Sequence, residues 1–315
     1  MKLSKKSKIF LAGHNGMVGS AVLRIFKKKG YKNIFFKNRK SLDLLDQKKT
    51  YKYLNRIKPD FVIIAAAKVG GILANSKKKA EFIYENLMIQ TNLIHSSYLV
   101  GVKKLLFLGS SCIYPKYSKQ PISESSLLTG KLEETNDAYA IAKIAGVKMC
   151  EAYNEQYGTN YLCLMPTNLY GPNDNYDLMR SHFFPALISK IYKVKNKKLK
   201  TIDIWGNGTP KRELMYVDDA AEACEFFLKK KTKHSLINIG SGDERTIIGY
   251  CQFISKELKV KINIRFDKKK PNGTPRKKLN LKLAKKYGWY AKTKLKEGFN
   301  LTYKSFLKNI NSKNS

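Results

Sequence analysis

A chain of 315 residues, 43% hydrophobic and 27% charged, has the composition of a globular protein and the length to bury a full core without covalent staples. Its five cysteines, Cys112, Cys150, Cys163, Cys224 and Cys251, include no pair at a C-x-x-C spacing, which excludes a zinc ribbon or disulfide framework and points to a reducing compartment, the cytoplasm. The formal net charge of +37 comes from lysines scattered in short runs such as Lys77 to Lys79 and Lys268 to Lys270, without interleaved aromatics, so it reads as a solvated surface whose field favours a polyanionic substrate and not as a nucleic-acid footprint.

The basic N-terminus has only Ile9 to Ala12 as an apolar stretch, too short for a signal peptide, and the longest apolar run, Phe61 to Ala67, falls far short of a membrane span. Lys8 to Ala12 is predicted as a strand ending in glycine. Gly16 to Lys29 has helical spacing in Val18, Ala21, Val22 and Ile25. Asn33 to Phe36 reads as a strand, Thr50 to Ile57 as a helix and Phe61 to Ala65 as a strand. Ala80 to Val100 is a long helix, Lys104 to Leu108 a strand, Ala138 to Tyr157 a helix and Tyr161 to Met165 a strand. This alternation predicts right-handed βαβ units: an α/β fold with a Rossmann-type, doubly wound parallel sheet. After Pro166, turn-rich stretches such as Gly171 to Asn175 and Gly206 to Pro210 break the rhythm. The expected organisation is a dinucleotide-binding domain over 1–166, with a return at about 215–240. A smaller C-terminal substrate-binding lobe then takes 167–214 and 241–315.

Gly13, Gly16 and Gly19 form G-x-x-G-x-x-G directly after the first strand and at the start of the first helix. Glycine there permits a tight turn and close approach of a pyrophosphate to backbone N–H groups at a helix start. After the second strand an NAD site wants an acid for the ribose 2′-hydroxyl. The chain has Lys37-Asn38-Arg39-Lys40 instead, and Arg39 can grip a 2′-phosphate by its fork. NADP(H) is therefore the expected cofactor.

Tyr139 and Lys143 form Y-x-x-x-K, one helical turn apart on one face. A free phenol titrates near 10, about three units above neutrality, and a neighbouring ammonium is expected to lower it. Gly109-Ser110-Ser111 stands at the end of the fourth strand, where open α/β sheets form their ligand crevice. Ser110, Tyr139 and Lys143 are thus the expected acid–base set.

Several stretches together resemble the GDP-L-fucose synthases, the GDP-4-keto-6-deoxy-D-mannose 3,5-epimerase/4-reductases of the extended short-chain dehydrogenases. They are Gly13 to Ala21, Ala65-Ala66-Ala67-Lys68-Val69-Gly70-Gly71-Ile72, Leu108 to Pro115, Tyr139 to Lys143, Met165 to Pro172 and Gly273-Thr274-Pro275-Arg276-Lys277. The resemblance implies Cys112 and His182 as the base and acid of the epimerisations. It implies cofactor contacts at Gly13, Asn15, Gly16, Met17, Val18, Gly19, Arg39, Leu108, Gly109, Ser110, Lys143, Pro166, Thr167, Asn168, Leu169 and His182. It implies nucleotide-sugar contacts at Lys190, Trp205, Arg212 and Asn272, and a homodimer; no metal and no membrane partner are expected from the cysteine spacing and the short apolar runs. Asn15 stands where relatives often have an arginine, Lys190 where some have an arginine, and Asn272 at a position that is usually acidic. The alternative is another nucleotide-sugar epimerase, dehydratase or 4-ketoreductase of the same fold. Against a dehydratase, Cys112, and not a Thr-Asp-Glu run, follows the strand-four serine.

Overall fold

The computed structural model of the chain describes residues 3–178, 180–196, 199–270 and 272–314. Its elements begin β1 (Ile9–Ala12), α1 (Met17–Lys28), β2 (Ile34–Phe35), α2 (Gln47–Ile57), β3 (Phe61–Ile64), α3 (Ile72–Lys77) and α4 (Lys79–Leu99). They continue β4 (Lys104–Leu108), α5 (Asp137–Tyr157), β5 (Tyr161–Pro166), β6 (Asn168–Tyr170), α6 (Phe183–Lys195), β7 (Thr201–Trp205), β8 (Lys211–Tyr216), α7 (Val217–Lys229) and β9 (Leu236–Ile239). The chain closes with β10 (Glu244–Thr246), α8 (Ile247–Leu258), β11 (Asn263–Asp267), β12 (Arg276–Lys277), α9 (Lys282–Lys286) and α10 (Leu295–Asn314).

The central sheet has the order β2-β1-β3-β4-β5-β9 and every pairing in it is parallel. Apart from the half-buried edge strand β2, its strands are buried on both faces, so they read as unbroken apolar runs. Successive side chains still alternate between two cores. Ile9 and Leu11 point into a layer with α1 and α7, while Phe10 and Ala12 point into one with α2, α4 and α5. The strand order reverses at β1, between β2 and β3, which opens a crevice at the C-terminal ends of those strands.

A third core packs Phe184, Ile188, Tyr250, Ile254, Phe299 and Phe306 between α6, α8 and α10, against Ile202 and Ile204 of β7. Beside it, β8 pairs with β10, β12 and β6, and β7 pairs with β11. Helix α2 begins three residues before its apolar pattern because the Asp46 carboxylate accepts from Lys49 N at 2.9 Å and caps it. Among the described residues, no helix is long and apolar enough to cross a membrane.

Candidate active site

The site is built where β1, β4 and β5 end. Gly13 follows β1 at φ +88°, in the left-handed region that favours glycine, and a Cβ there would fall 2.6 Å from Ala66 N. A Cβ at Gly19 would fall 2.0 Å from the Gly13 carbonyl oxygen. No side chain caps α1 at Gly16, which leaves the first-turn N–H groups of Met17, Val18 and Gly19 for a ligand. This bare backbone at a helix start fits a dinucleotide pyrophosphate. Asn15 and Arg39 are both exposed nearby.

Beyond β4, Ser110 has extended backbone, and its Oγ accepts from Cys112 N at 3.4 Å. One turn apart on α5, Tyr139 and Lys143 face the same strand ends. The Lys143 ammonium is buried, donates to the Leu108 carbonyl at 2.9 Å and lies 4.5 Å from the Phe107 ring centroid. Burial pushes it down to about 8. The expected lowering of the Tyr139 phenol by Lys143 is not found. The ammonium is turned to Leu108 O and stays 5.9 Å from the Tyr139 ring centroid, while burial and then Cys112 raise the phenol. Tyr139 is therefore a protonated donor at neutral pH.

Ser110, Cys112, Tyr139, Asn168, His182, Lys190, Trp205, Arg212 and Asn272 line one cavity of about 260 Å³. Three long stretches of chain bring them together. His182 precedes the first residue of α6, and a Gly71 N to Arg180 O hydrogen bond at 2.9 Å ties its approach to the start of α3. Its ring opens onto the cavity, but the protein around it, and then Lys277, lower its pKa, so the imidazole is neutral. Burial pushes the Cys112 thiol up, and Lys277, the Ser110 hydrogen bond and Lys143 pull it back.

Lys190 donates to the Asp203 carbonyl at 2.5 Å, and burial lowers its pKa. Trp205 has the Lys270 ammonium 5.7 Å from its ring centroid. The Asn272 carboxamide oxygen accepts from Asn207 N at 3.0 Å. Arg212 is pushed down to about 10 by burial, with Glu133 opposing.

The glycine turn, Asn15, Met17, Val18 and Arg39 are not among the residues lining this cavity; they cluster beyond β1 and β2. Leu108 ends β4 and Gly109 follows it, and Pro166 to Leu169 run from β5 into β6, where Thr167 Oγ1 and Asn168 Nδ2 both donate to the Glu213 carbonyl, at 3.0 and 3.2 Å. The cavity also holds Glu133, Asn136 and Lys277, which residue-by-residue reading did not single out. Lys277 ends the Gly-Thr-Pro-Arg-Lys stretch, so a signal was present for it. Glu133 had none.

A sheet of this order with a glycine turn, Tyr139, Lys143 and Ser110 at its C-terminal edge defines a class. The model of the NAD-dependent epimerase/dehydratase family matches residues 9–240, and the chain belongs to that family. Within it the chain groups with the GDP-L-fucose synthases. It is 49% identical to GDP-L-fucose synthase of Sinorhizobium fredii, over 98% of this chain and 98% of that one. It is 48% identical to GDP-L-fucose synthase 1 of Arabidopsis thaliana, over 97% of this chain and 95% of that one. The crystal structure of a GDP-L-fucose synthetase from Naegleria fowleri bound to NADP has 28% identity and a TM-score of 0.90, covering 99% of this chain and 96% of that one.

Proposed function

We propose that the protein converts GDP-4-keto-6-deoxy-D-mannose to GDP-L-fucose, by epimerisation at C3 and C5 followed by NADPH-dependent reduction at C4. The observation that carries this reading is the convergence of a thiol, an imidazole and a Ser110–Tyr139 pair in one cavity. A plain ketoreductase needs only the last two.

The C4 ketone acidifies the hydrogens on both neighbouring carbons, so one carbonyl serves two inversions. Cys112 takes the proton and His182 returns one on the opposite face. Burial holds the thiol protonated in the free protein, so with substrate in place the thiol gives its proton to the neutral His182 imidazole, which leaves the thiolate as base and the imidazolium as acid. Lys277, the Ser110 hydrogen bond and Lys143 all favour the thiolate. The neutral His182 imidazole acts as acid after picking up a proton. Ser110 then orients the C4 oxygen and Tyr139, a phenol with its proton in place, protonates it. When bound, NADPH supplies the hydride to C4.

The glycine turn and the Leu108–Gly109 and Pro166–Leu169 strand ends would hold the cofactor, with Arg39 on its 2′-phosphate. In this reading 167–214 and 241–315 hold the nucleotide sugar: Trp205 stacks on guanine, Arg212 and Lys190 meet the diphosphate, and Asn272 contributes from the rim. The protein works as a cytoplasmic homodimer through α4 and α5, an arrangement supported by the exposed Tyr84, Leu99, Ile141 and Tyr157 on those helices. Light scattering on the purified protein checks the dimer.

The deciding experiment follows deuterium entering C3 and C5 of the substrate in D₂O with NADP⁺ present, which fills the site but cannot reduce. Cys112→Ser and His182→Asn should slow exchange strongly, because a hydroxyl is a far weaker base than a thiolate and an amide cannot donate as an imidazolium does. Unchanged exchange in both variants would falsify the epimerase role and leave a simple nucleotide-sugar reductase.

A further inference from the structure

We propose that Glu85 is a positioning residue for the cofactor's 2′-phosphate, acting by holding Arg39. The inference rests on the reading of Arg39 as the group that grips that phosphate.

Arg39 has 70% of its side chain exposed, and Asn15 brings no charge to share its task. A long exposed side chain gives up rotamer freedom when it is fixed on a ligand, unless something fixes it beforehand. Glu85 reaches it from α4: Oε2 lies 3.5 Å from Arg39 Nη1. Asp43 stands 4.0 Å from Arg39 Nε, beyond hydrogen-bond reach. Glu85 is therefore an ion-pair partner at the Nη1 corner of the guanidinium, not a hydrogen-bond acceptor, and Asp43 stands farther off on the Nε side, so the parallel N–H groups of the Nε–Nη2 edge are left to match a phosphate.

A carboxylate beside a phosphate would repel it if it stood alone. Glu85 does not. Lys68 Nζ lies 2.5 Å from Glu85 Oε1 and 2.5 Å from Glu81 Oε2. The two Glu85 oxygens thus serve different cations, Lys68 on one side and Arg39 on the other. Lys68 is itself fixed, because its N–H donates to the Asn86 carboxamide oxygen and its carbonyl accepts from Asn86 Nδ2, each at 3.0 Å. Asn86 is buried, and Lys68 continues the segment whose Ala66 abuts Gly13. The relay Asn86–Lys68–Glu85–Arg39 references the guanidinium to the glycine turn that receives the pyrophosphate.

The test compares binding of 2′,5′-ADP and 5′-AMP by calorimetry, alongside KM and kcat with NADPH and NADH. Glu85→Gln should weaken 2′,5′-ADP by up to about fivefold, the scale of one exposed ion pair, and leave 5′-AMP unchanged. KM for NADPH should rise with kcat held, and NADH kinetics should not move. Glu81→Gln removes the other carboxylate from Lys68 without touching Arg39, and should change neither ligand. Arg39→Gln tests the underlying reading: if it leaves 2′,5′-ADP binding intact, Arg39 is not the phosphate grip. If Arg39→Gln abolishes the preference but Glu85→Gln binds 2′,5′-ADP as well as or better than the parent, the positioning role is overturned alone. Equal weakening of both nucleotides by Glu85→Gln overturns it too.

Discussion

Lys143 is a cation held in a buried place. With its pKa pushed down to about 8 by burial, it is charged below that pH and loses the charge as pH rises through it. If the Lys143 charge serves cofactor binding, kcat/KM for NADPH, which reports the free enzyme, should fall above pH 8. A profile flat across that range removes the charge from the mechanism. Tyr139→Phe should cost about 10²–10⁴-fold in C4 reduction with nucleotide binding retained, because only the proton donor is lost. Single-turnover reduction and a cofactor titration together check it. At this scale the sequence was readable wherever the partners were close along the chain. Tyr139 and Lys143 share a helical turn, and Ser110 and Cys112 share a strand end. Glu85, Glu133 and Lys277 meet their partners across tens or hundreds of residues, and spacing carries no information about such pairs.

Helix α5 approaches β4 closely because residue 146 is glycine. A Cβ on Gly146 would lie 2.6 Å from Phe107 Cζ and 3.0 Å from the Gln90 carboxamide carbon on α4. Phe107 also borders the Lys143 ammonium at 4.5 Å. Gly146→Ala should therefore cost about 1–3 kcal/mol of stability, the usual range for overpacking a tight core. It should also lower kcat by moving the ring under Lys143. Urea unfolding and steady-state rates on one preparation measure both, and unchanged values in each would mean that the helix shifts freely. Long elements were legible because their apolar pattern repeats several times: α1, α4, α5 and the buried strands lie where periodicity puts them, within a few residues. Strand β2 lies within the predicted Asn33 to Phe36, but β10 and β12, of three and two residues, cannot display a period of two. Their existence is decided by a neighbour such as β8, which sequence spacing does not reveal.

Across the whole molecule, the net charge of +37 surrounds a cavity that carries Lys190, Arg212 and Lys277. A dianionic nucleotide sugar should be drawn in by this field, and salt should screen it over a Debye length of about 10 Å at 0.1 M. KM for the GDP-linked substrate should rise with added KCl while kcat changes little. An ionic-strength-independent KM would confine the charge to the surface, a role in solubility alone. The first half of the chain announced its architecture through alternating strands and helices. The second half did not, because its small sheets draw on segments from β6 to β12 that are scattered among turns.

The pairing of β12 with β8 sets Lys277 directly beside Arg212, both facing the cavity. Two cations in neighbouring register repel, and burial lowers the pKa of each, with Glu133 opposing at both. The fold therefore carries a local frustration that an anion can discharge. Inorganic pyrophosphate, with neither base nor sugar, should raise the melting temperature at low ionic strength, and Lys277→Met should raise it without any ligand while weakening the pyrophosphate response. In such a molecule the empty protein is the strained partner, and its resistance to heat becomes a gauge of how full its cavity is.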